Sequence, residues 1–316
     1  MVGKLVTVFG GSGFIGRYVV RRLAHAGWQV RVAVRRPNEA LFCKTAGHVG
    51  QVTPVAANIR NEASVRAAVA GADAVVNLVG ILFQAGPQRF DAVHTQGAAT
   101  VAAAAAGAGV PTLVQVSAIG ADPQSPAAYA RSKAAGEAAV RKALPAATII
   151  RPSIVFGPED DFFNRFAKMS TIAPALPLIG GGTTRFQPVY VLDVAEAIAR
   201  AVENPEVHAG KTYELGGPRI YSFRELLTLM LAEIGRKRML IGLPFPIAAL
   251  QGAVFQSLPF IRPPLTTDQV KLLKRDNVVG PQAAGFKEFG VTPTALEPIL
   301  PTYLDRYRPH GYYSRA

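Results

Sequence analysis

"VTVFGGSGFIGRYVVRRL", Val6–Leu23, decides how the rest of the chain is read. An apolar run ends at Gly10; Gly13 and Gly16 follow at spacings of three, and a stretch with helical periodicity comes next. Each glycine has its own physical reason. Gly10 allows a tight turn off a strand, and Gly13 lets the backbone approach a pyrophosphate with no Cβ in the way. Gly16 lets a helix pack closely on a sheet. The start of that helix offers free N–H groups and partial positive charge to phosphates. The turn therefore reads as a dinucleotide-binding fingerprint, with Ser12, Phe14 and Ile15 as further contacts. The plain alternative is a glycine turn with no ligand.

Working outward, the runs Leu5–Phe9, Gln29–Val34, Gln51–Ala57, Ala74–Val79, Thr112–Ser117 and Ala147–Pro152 read as strands. Between them, Gly16–Ala26, Ser64–Ala70, Phe90–Ala106 and Ala127–Ala143 read as helices. This alternation predicts an α/β fold: a doubly wound parallel (Rossmann) sheet over 1–152 with helices on both faces. After Pro152 the pattern changes. A smaller α/β subdomain is expected over 153–280, placed over the cleft and carrying an apolar helix, with the chain re-entering the sheet core around 185–205. Residues 281–316 read as a basic, aromatic tail, either an arm ordered by a partner or a frayed terminus.

The second strand ends in "VAVRRPN", where Arg35 and Arg36 stand in the place a carboxylate would take to bind a ribose 2′-hydroxyl. A forked guanidinium there suits a 2′-phosphate, so NADPH is expected over NADH. Solvated surface arginines are the bland alternative. Asn58, after the third strand, is placed either to reach the adenine edge or to serve as a turn residue. Val79, Ser117 and Pro152 end later strands, Gly80 follows one, and the four complete the expected cofactor contacts.

Tyr129 and Lys133 lie one helical turn apart in "VSAIGADPQSPAAYARSK", Val116–Lys133. A lysine ammonium beside a phenol favours its ionised form, and such a pair can pass a proton while hydride moves. The Gly10–Gly16 turn and this pair resemble the short-chain dehydrogenase/reductases, and the resemblance implies a serine or threonine that holds the substrate oxygen, expected two residues past Ser117. Ile119 stands there and cannot donate a hydrogen bond. The pair thus reads either as a catalytic site or as a nicotinamide-ribose clamp with no chemistry following.

Composition narrows the classes. The chain has 316 residues, 49% apolar and 17% charged, which suits a globular protein. Its net charge of +13 favours an anionic partner, such as a nucleotide or a lipid headgroup. Nucleic acid is not expected, for lack of aromatic–basic interleaving or zinc spacing. A lone cysteine, Cys43, excludes an internal disulfide, a multi-cysteine metal site and an iron–sulfur centre. With no signal or transit pattern at its start, the chain is expected on the cytosolic side and bacterial.

The glycine pattern "GGSGFIG", the "NLVG" at Asn77–Gly80, the Tyr129/Lys133 pair and "RPSIVFGPED" resemble the extended and atypical short-chain dehydrogenase/reductases. "RPSIVFGPEDDFFNRFA", "RFQPVYVLDVAEAI" and "LPFPIAALQGAVFQSLPFIRPPLTTDQVKLLKRDNVV" narrow this. They look like the nucleotide-binding accessory subunits of respiratory complex I (NADH:ubiquinone oxidoreductase) in their alphaproteobacterial form. The resemblance implies a tightly bound NADPH, a structural or assembly role with little or no turnover, and complex I partners of the hydrophilic arm near the membrane. It places the chain peripherally on the cytoplasmic side of a bacterial inner membrane. The rival expectation is a free NADP-dependent reductase or epimerase acting on a small carbonyl or sugar-nucleotide substrate.

Met239–Ile261 holds no charged residue. Pro244, Pro246 and Pro259 argue against a spanning helix. Ile247, Leu250, Val254 and Leu258 form an apolar stripe at helical spacing. Arg236, Lys237, Arg238, Arg262, Lys271 and Lys274 surround it. It is expected either to meet anionic lipid or to cap the cleft within the protein.

Overall fold

The apolar run before the glycines forms β1 (Leu5–Phe9), and the helical stretch after them forms α1 (Phe14–His25). The alternation continues through β2 (Gln29–Val34), β3 (Val52–Ala56), α2 (Glu62–Val69), β4 (Ala74–Asn77), α3 (Gly97–Gly107), β5 (Thr112–Val116), α4 (Ala128–Ala143) and β6 (Thr148–Pro152). Next come β7 (Val155–Phe156), α5 (Phe162–Ile172), β8 (Ala175–Ile179), β9 (Arg185–Phe186), β10 (Val189–Tyr190), α6 (Val191–Glu203), α7 (Pro205–His208), β11 (Thr212–Leu215) and β12 (Tyr221–Ser222). The chain ends with α8 (Phe223–Glu233), β13 (Met239–Leu243), α9 (Phe245–Ser257), α10 (Thr267–Leu272) and α11 (Pro301–Leu304). The computed structural model describes residues 3–257, 263–309 and 311.

The chain divides into two compact units. The first takes Met1–Pro152, Val191–Leu215 and Gln282–Thr292. Its sheet has, among the described residues, seven strands in the order β3-β2-β1-β4-β5-β6-β11, all parallel. Val6, Val8, Val30, Val32, Val75 and Val76 are buried. Both sheet faces are covered, so these strands read as continuous apolar runs. The order reverses between β1 and β4, the switch point where such sheets open a crevice. Phe9 pairs with both Ala33 and Asn77, and Asn77 with Gln115. The loops after β1, β2, β4 and β5 therefore leave the sheet at one edge.

The return of the chain to the sheet spans Val191–Leu215 rather than the expected 185–205. The strand at the far edge, β11, is four residues long and mixes Thr212 and Glu214 with Tyr213 and Leu215, too short a pattern to stand out in the sequence. Helix α6 packs beside α1, where Arg22 bonds Glu196 and Glu203.

The second unit takes Ser153–Tyr190, Gly216–Pro281 and Pro293–Ala316. Its core gathers Phe156, Phe163, Leu176, Leu178, Phe223, Leu226 and Met230. The expected tail over 281–316 is corrected here: its described part is built into both units. Leu296, Leu300, Tyr303 and Leu304 are buried in the second core, and the Tyr303 hydroxyl donates to Asp160 at 2.6 Å. Apolar residues every third or fourth position drive this docking, a signal masked in the sequence by Pro293, Pro298 and Pro301 among them.

The apolar stretch from Met239 splits into a strand and a helix. β13 pairs in parallel with β8, and α9 follows. A Cβ on Gly252 would lie 2.9 Å from the Thr267 N, so α9 runs close against the start of α10. Ala248 and Gly252 face inward, while Ile247, Leu250 and Val254 are about half to two-thirds exposed, at 49%, 67% and 53%. The expected stripe exists, but it faces out of the unit and does not fill a cleft. Leu258 and Arg262 lie outside the described residues. Among the described residues, no helix is long and apolar enough to cross a membrane.

Candidate functional site

The site is assembled on the carboxyl edge of the first unit's sheet. Gly10 has φ +77°, a left-handed conformation that costs glycine nothing. Its carbonyl accepts the Gly13 N–H at 2.9 Å, closing the turn. A Cβ on Gly16 would lie 2.3 Å from the Gly10 oxygen and 2.7 Å from the Gly11 Cα, so α1 can reach the turn only with glycine there. A Cβ on Gly13 would meet only the Gly10 oxygen, at 3.2 Å. Packing therefore restricts Gly13 far less than Gly16, and Gly13 is exposed. Ser12, Phe14 and Ile15 stand in the same turn and first helical positions, none of them buried.

Arg35 and Arg36 follow β2 directly, and both are exposed. Arg36 pairs with Glu39 at 2.8 Å, whereas Arg35 makes no ion pair among the described residues. Asn58 is half-buried, and its side-chain oxygen accepts the Arg60 N–H at 3.1 Å. That oxygen serves a local turn; the Asn58 amide nitrogen is the end that remains for a base edge.

Beyond β4, Val79 and Gly80 cross the sheet edge. A Cβ on Gly80 would lie 3.3 Å from the Lys133 Nζ. Lys133 itself is buried and donates to the Val116 carbonyl at 3.4 Å. Its Nζ sits 5.9 Å from the centre of the Tyr129 ring. Burial pushes the Lys133 ammonium down to about 8, opposed by the charge of Glu137. Burial likewise pushes the Tyr129 phenol up to about 12. The ionised phenol expected from a neighbouring ammonium is thus not favoured, because desolvation outweighs the attraction. The Ser117 Oγ is buried with no hydrogen-bond partner among the described residues. Ile119 is buried, and its N–H donates to the Pro152 carbonyl at 3.1 Å, which ties the loop after β5 to the end of β6.

Three polar groups here were not anticipated. Asn77 is buried; its amide donates to the Gln115 Oε1 at 2.8 Å, and its oxygen accepts the Val79 N–H at 3.2 Å. Gln115 in turn donates to the Val116 carbonyl that Lys133 also uses. Their signal was a polar residue inside an otherwise continuous apolar strand. The third, His94, lies in a π-helical turn, Asp91–Gln96, that no sequence spacing announces. A Cβ on Gly136 would sit 2.1 Å from the His94 carbonyl oxygen, so α4 crosses this turn in near-backbone contact.

The arrangement fits a dinucleotide. An open glycine turn at a helix start, an unpaired arginine after β2, an orphaned serine hydroxyl and a Tyr–Lys pair line one sheet edge. The same residues offer no hydroxyl at position 119, and no metal-binding cluster occurs among the described residues.

The chain belongs to the NAD dependent epimerase/dehydratase family, which it matches over residues 6–216. It is 39% identical to the NADH dehydrogenase (ubiquinone) 1 alpha subcomplex subunit 9 of Arabidopsis thaliana mitochondria, over 98% of this chain and 79% of that protein. It is 32% identical to the mitochondrial NADH-ubiquinone oxidoreductase 40 kDa subunit of Neurospora crassa, over 98% of this chain and 81% of that protein. Among solved structures, it resembles a dTDP-glucose 4,6-dehydratase from Streptomyces venezuelae with NAD bound, at TM-score 0.74 and 22% identity, covering 96% of each chain. That last likeness concerns the fold.

Proposed function

We propose that this chain is an accessory subunit of NADH:ubiquinone oxidoreductase that holds NADPH without turning it over. The observation that carries the reading is the near-full-length similarity to subunits of that complex, at 39% and 32% identity. The site supports the second half of the reading. It keeps the phosphate turn and the Tyr129–Lys133 pair, yet places Ile119 where a substrate-holding hydroxyl would be needed. A nucleotide that binds only the folded state stabilises it by mass action, which suits an assembly role.

NADPH is preferred over NADH because Arg35 follows β2 unpaired and carries a fork suited to a 2′-phosphate. Gly10, Ser12, Gly13, Phe14, Ile15 and Gly16 hold the pyrophosphate, Val79, Gly80, Ser117 and Pro152 flank the nicotinamide half, and Tyr129 and Lys133 bind its ribose. The chain sits peripherally on the cytoplasmic side of a bacterial inner membrane, against the hydrophilic arm. In the second unit, the exposed face of α9 meets anionic lipid, with Lys237 before β13, Lys271 in α10 and Lys274 just after it supplying charge.

Purification of the native protein from membranes in mild detergent tests this. The expected result is co-elution with the flavin- and iron–sulfur-bearing subunits of the complex and about one NADPH per chain. A monodisperse protein with no respiratory partner that reduces a carbonyl compound with NADPH would overturn it, and would establish the rival reductase.

A further inference from the structure

The imidazole of His94 is almost wholly enclosed, at 3% exposure. Phe90 stacks on one face at 5.5 Å between ring centres and 18° between planes, and Tyr129 meets it edge-on at 5.3 Å. A ring held between aromatic groups needs no nitrogen, yet both nitrogens are used. Nε2 lies 3.0 Å from the backbone N of Ile81. A backbone N–H only donates, so Nε2 accepts and the ring proton is on Nδ1. Nδ1–H then donates to the Ser132 Oγ at 2.9 Å, and that hydroxyl donates to the Tyr129 carbonyl at 2.7 Å. One side chain thus links the loop after β4, the π-helical turn and the first turn of α4. Gly80, one residue before Ile81, lies between this imidazole and the Lys133 ammonium.

We propose that His94, neutral and protonated on Nδ1, is a positioning residue for the nucleotide. It anchors the Ile81 N–H and so holds Val79 and Gly80 at the height of Lys133, where the nicotinamide half of the dinucleotide is gripped. This rests on the nucleotide reading above. His94 does not exchange protons with a substrate, because neither nitrogen is free. Burial, and then the ammonium of Lys133 beside it, oppose a positive charge on the ring. The anchor at Nε2 matters more than the bond to Ser132, since Ser132 keeps its own acceptor when the histidine is lost. The Ile81 N–H would be left without a partner.

Two substitutions separate these bonds. His94→Gln puts an amide oxygen where Nε2 was, while His94→Asn offers an amide only at the height of Nδ1. NADPH affinity is measured by fluorescence titration on the full chain, with thermal unfolding of the nucleotide-free protein as a control. His94→Gln should stay within about threefold of the parent, and His94→Asn and His94→Leu should weaken binding roughly tenfold or more. Equal losses in all three, or losses that merely follow the fall in unfolding temperature, would overturn the anchoring role. Nitrogen-15 NMR of the imidazole gives a second reading that needs no nucleotide: an Nδ1–H tautomer is expected, and an Nε2–H tautomer or an imidazolium at neutral pH would overturn the proposal. A parent protein that binds no dinucleotide at all would sink the nucleotide reading itself, and the role given to His94 with it, whatever the tautomer.

Discussion

Gly13 and Gly16 stand three residues apart, yet a methyl group added to each meets different surroundings. At Gly16 it would collide with backbone at 2.3 Å, so Gly16→Ala should misplace α1 and lower stability by a few kcal/mol. At Gly13 the added methyl meets one atom, the Gly10 oxygen at 3.2 Å, and would intrude on the proposed pyrophosphate. Gly13→Ala should therefore lower thermal stability much less than Gly16→Ala while weakening NADPH binding roughly tenfold or more, about 1.4 kcal/mol. Equal effects on folding and binding at Gly13 would remove the phosphate role assigned to it. Arg35→Asp should weaken NADPH more than NADH, because it removes the fork and adds repulsion toward a 2′-phosphate. Parallel titrations with the two nucleotides check this. Lys133 adds a pH dependence. In the proposed role its ammonium binds ribose, and its folded pKa is lowered by burial from 10.5 to about 8. NADPH should bind tightest below that value and lose affinity as pH rises through it, a step that Lys133→Gln should abolish. The stability of the nucleotide-free protein should run the other way. The folded chain releases the lysine proton more readily than the unfolded chain, so this group raises stability with pH between about 8 and 10.5.

At the scale of elements, the sequence was most informative where one physical requirement dominates. The six strands from Leu5 to Pro152 were visible because a largely covered sheet favours apolar runs, here broken by single polar residues such as Arg31 and Gln115. The glycine turn was visible because Gly10 and Gly16 leave no substitute. His94 was hidden because its role depends on a π-helical turn, and that turn forms where α4 crosses at Gly136, forty-two positions later in the chain. The missing hydroxyl at position 119 was legible in the sequence, but the raised pKa of Tyr129 was not, since burial arises only on folding. Helix α9 shows both sides of this. Its apolar spacing was read correctly, but the direction it faces depends on Gly252 lying against α10. Leu250→Glu should cost little stability, because the side chain is 67% exposed. It should weaken co-flotation of the protein with vesicles containing phosphatidylglycerol by several-fold. Undiminished flotation would take α9 out of the lipid contact.

At the scale of the whole molecule, the positive balance and the retained site work in the same direction. A net charge of +13 favours anionic neighbours, and the sheet edge that carries the glycine turn is built to hold an anion. The two units also divide the labour of the sequence. The first carries the residues proposed to hold the nucleotide. The second carries the exposed apolar helix and the C-terminal segment whose Tyr303 meets Asp160. A protein that only holds its nucleotide should keep it unchanged while its complex turns over. The direct measurement is the redox state and amount of nucleotide on this chain in the purified complex, before and after many cycles of NADH-driven quinone reduction. The account predicts that NADPH stays bound and reduced, with Tyr129→Phe leaving assembly and quinone reduction intact. NADPH that is oxidised in step with turnover, or quinone reduction that fails in Tyr129→Phe while the nucleotide is still bound, would contradict it.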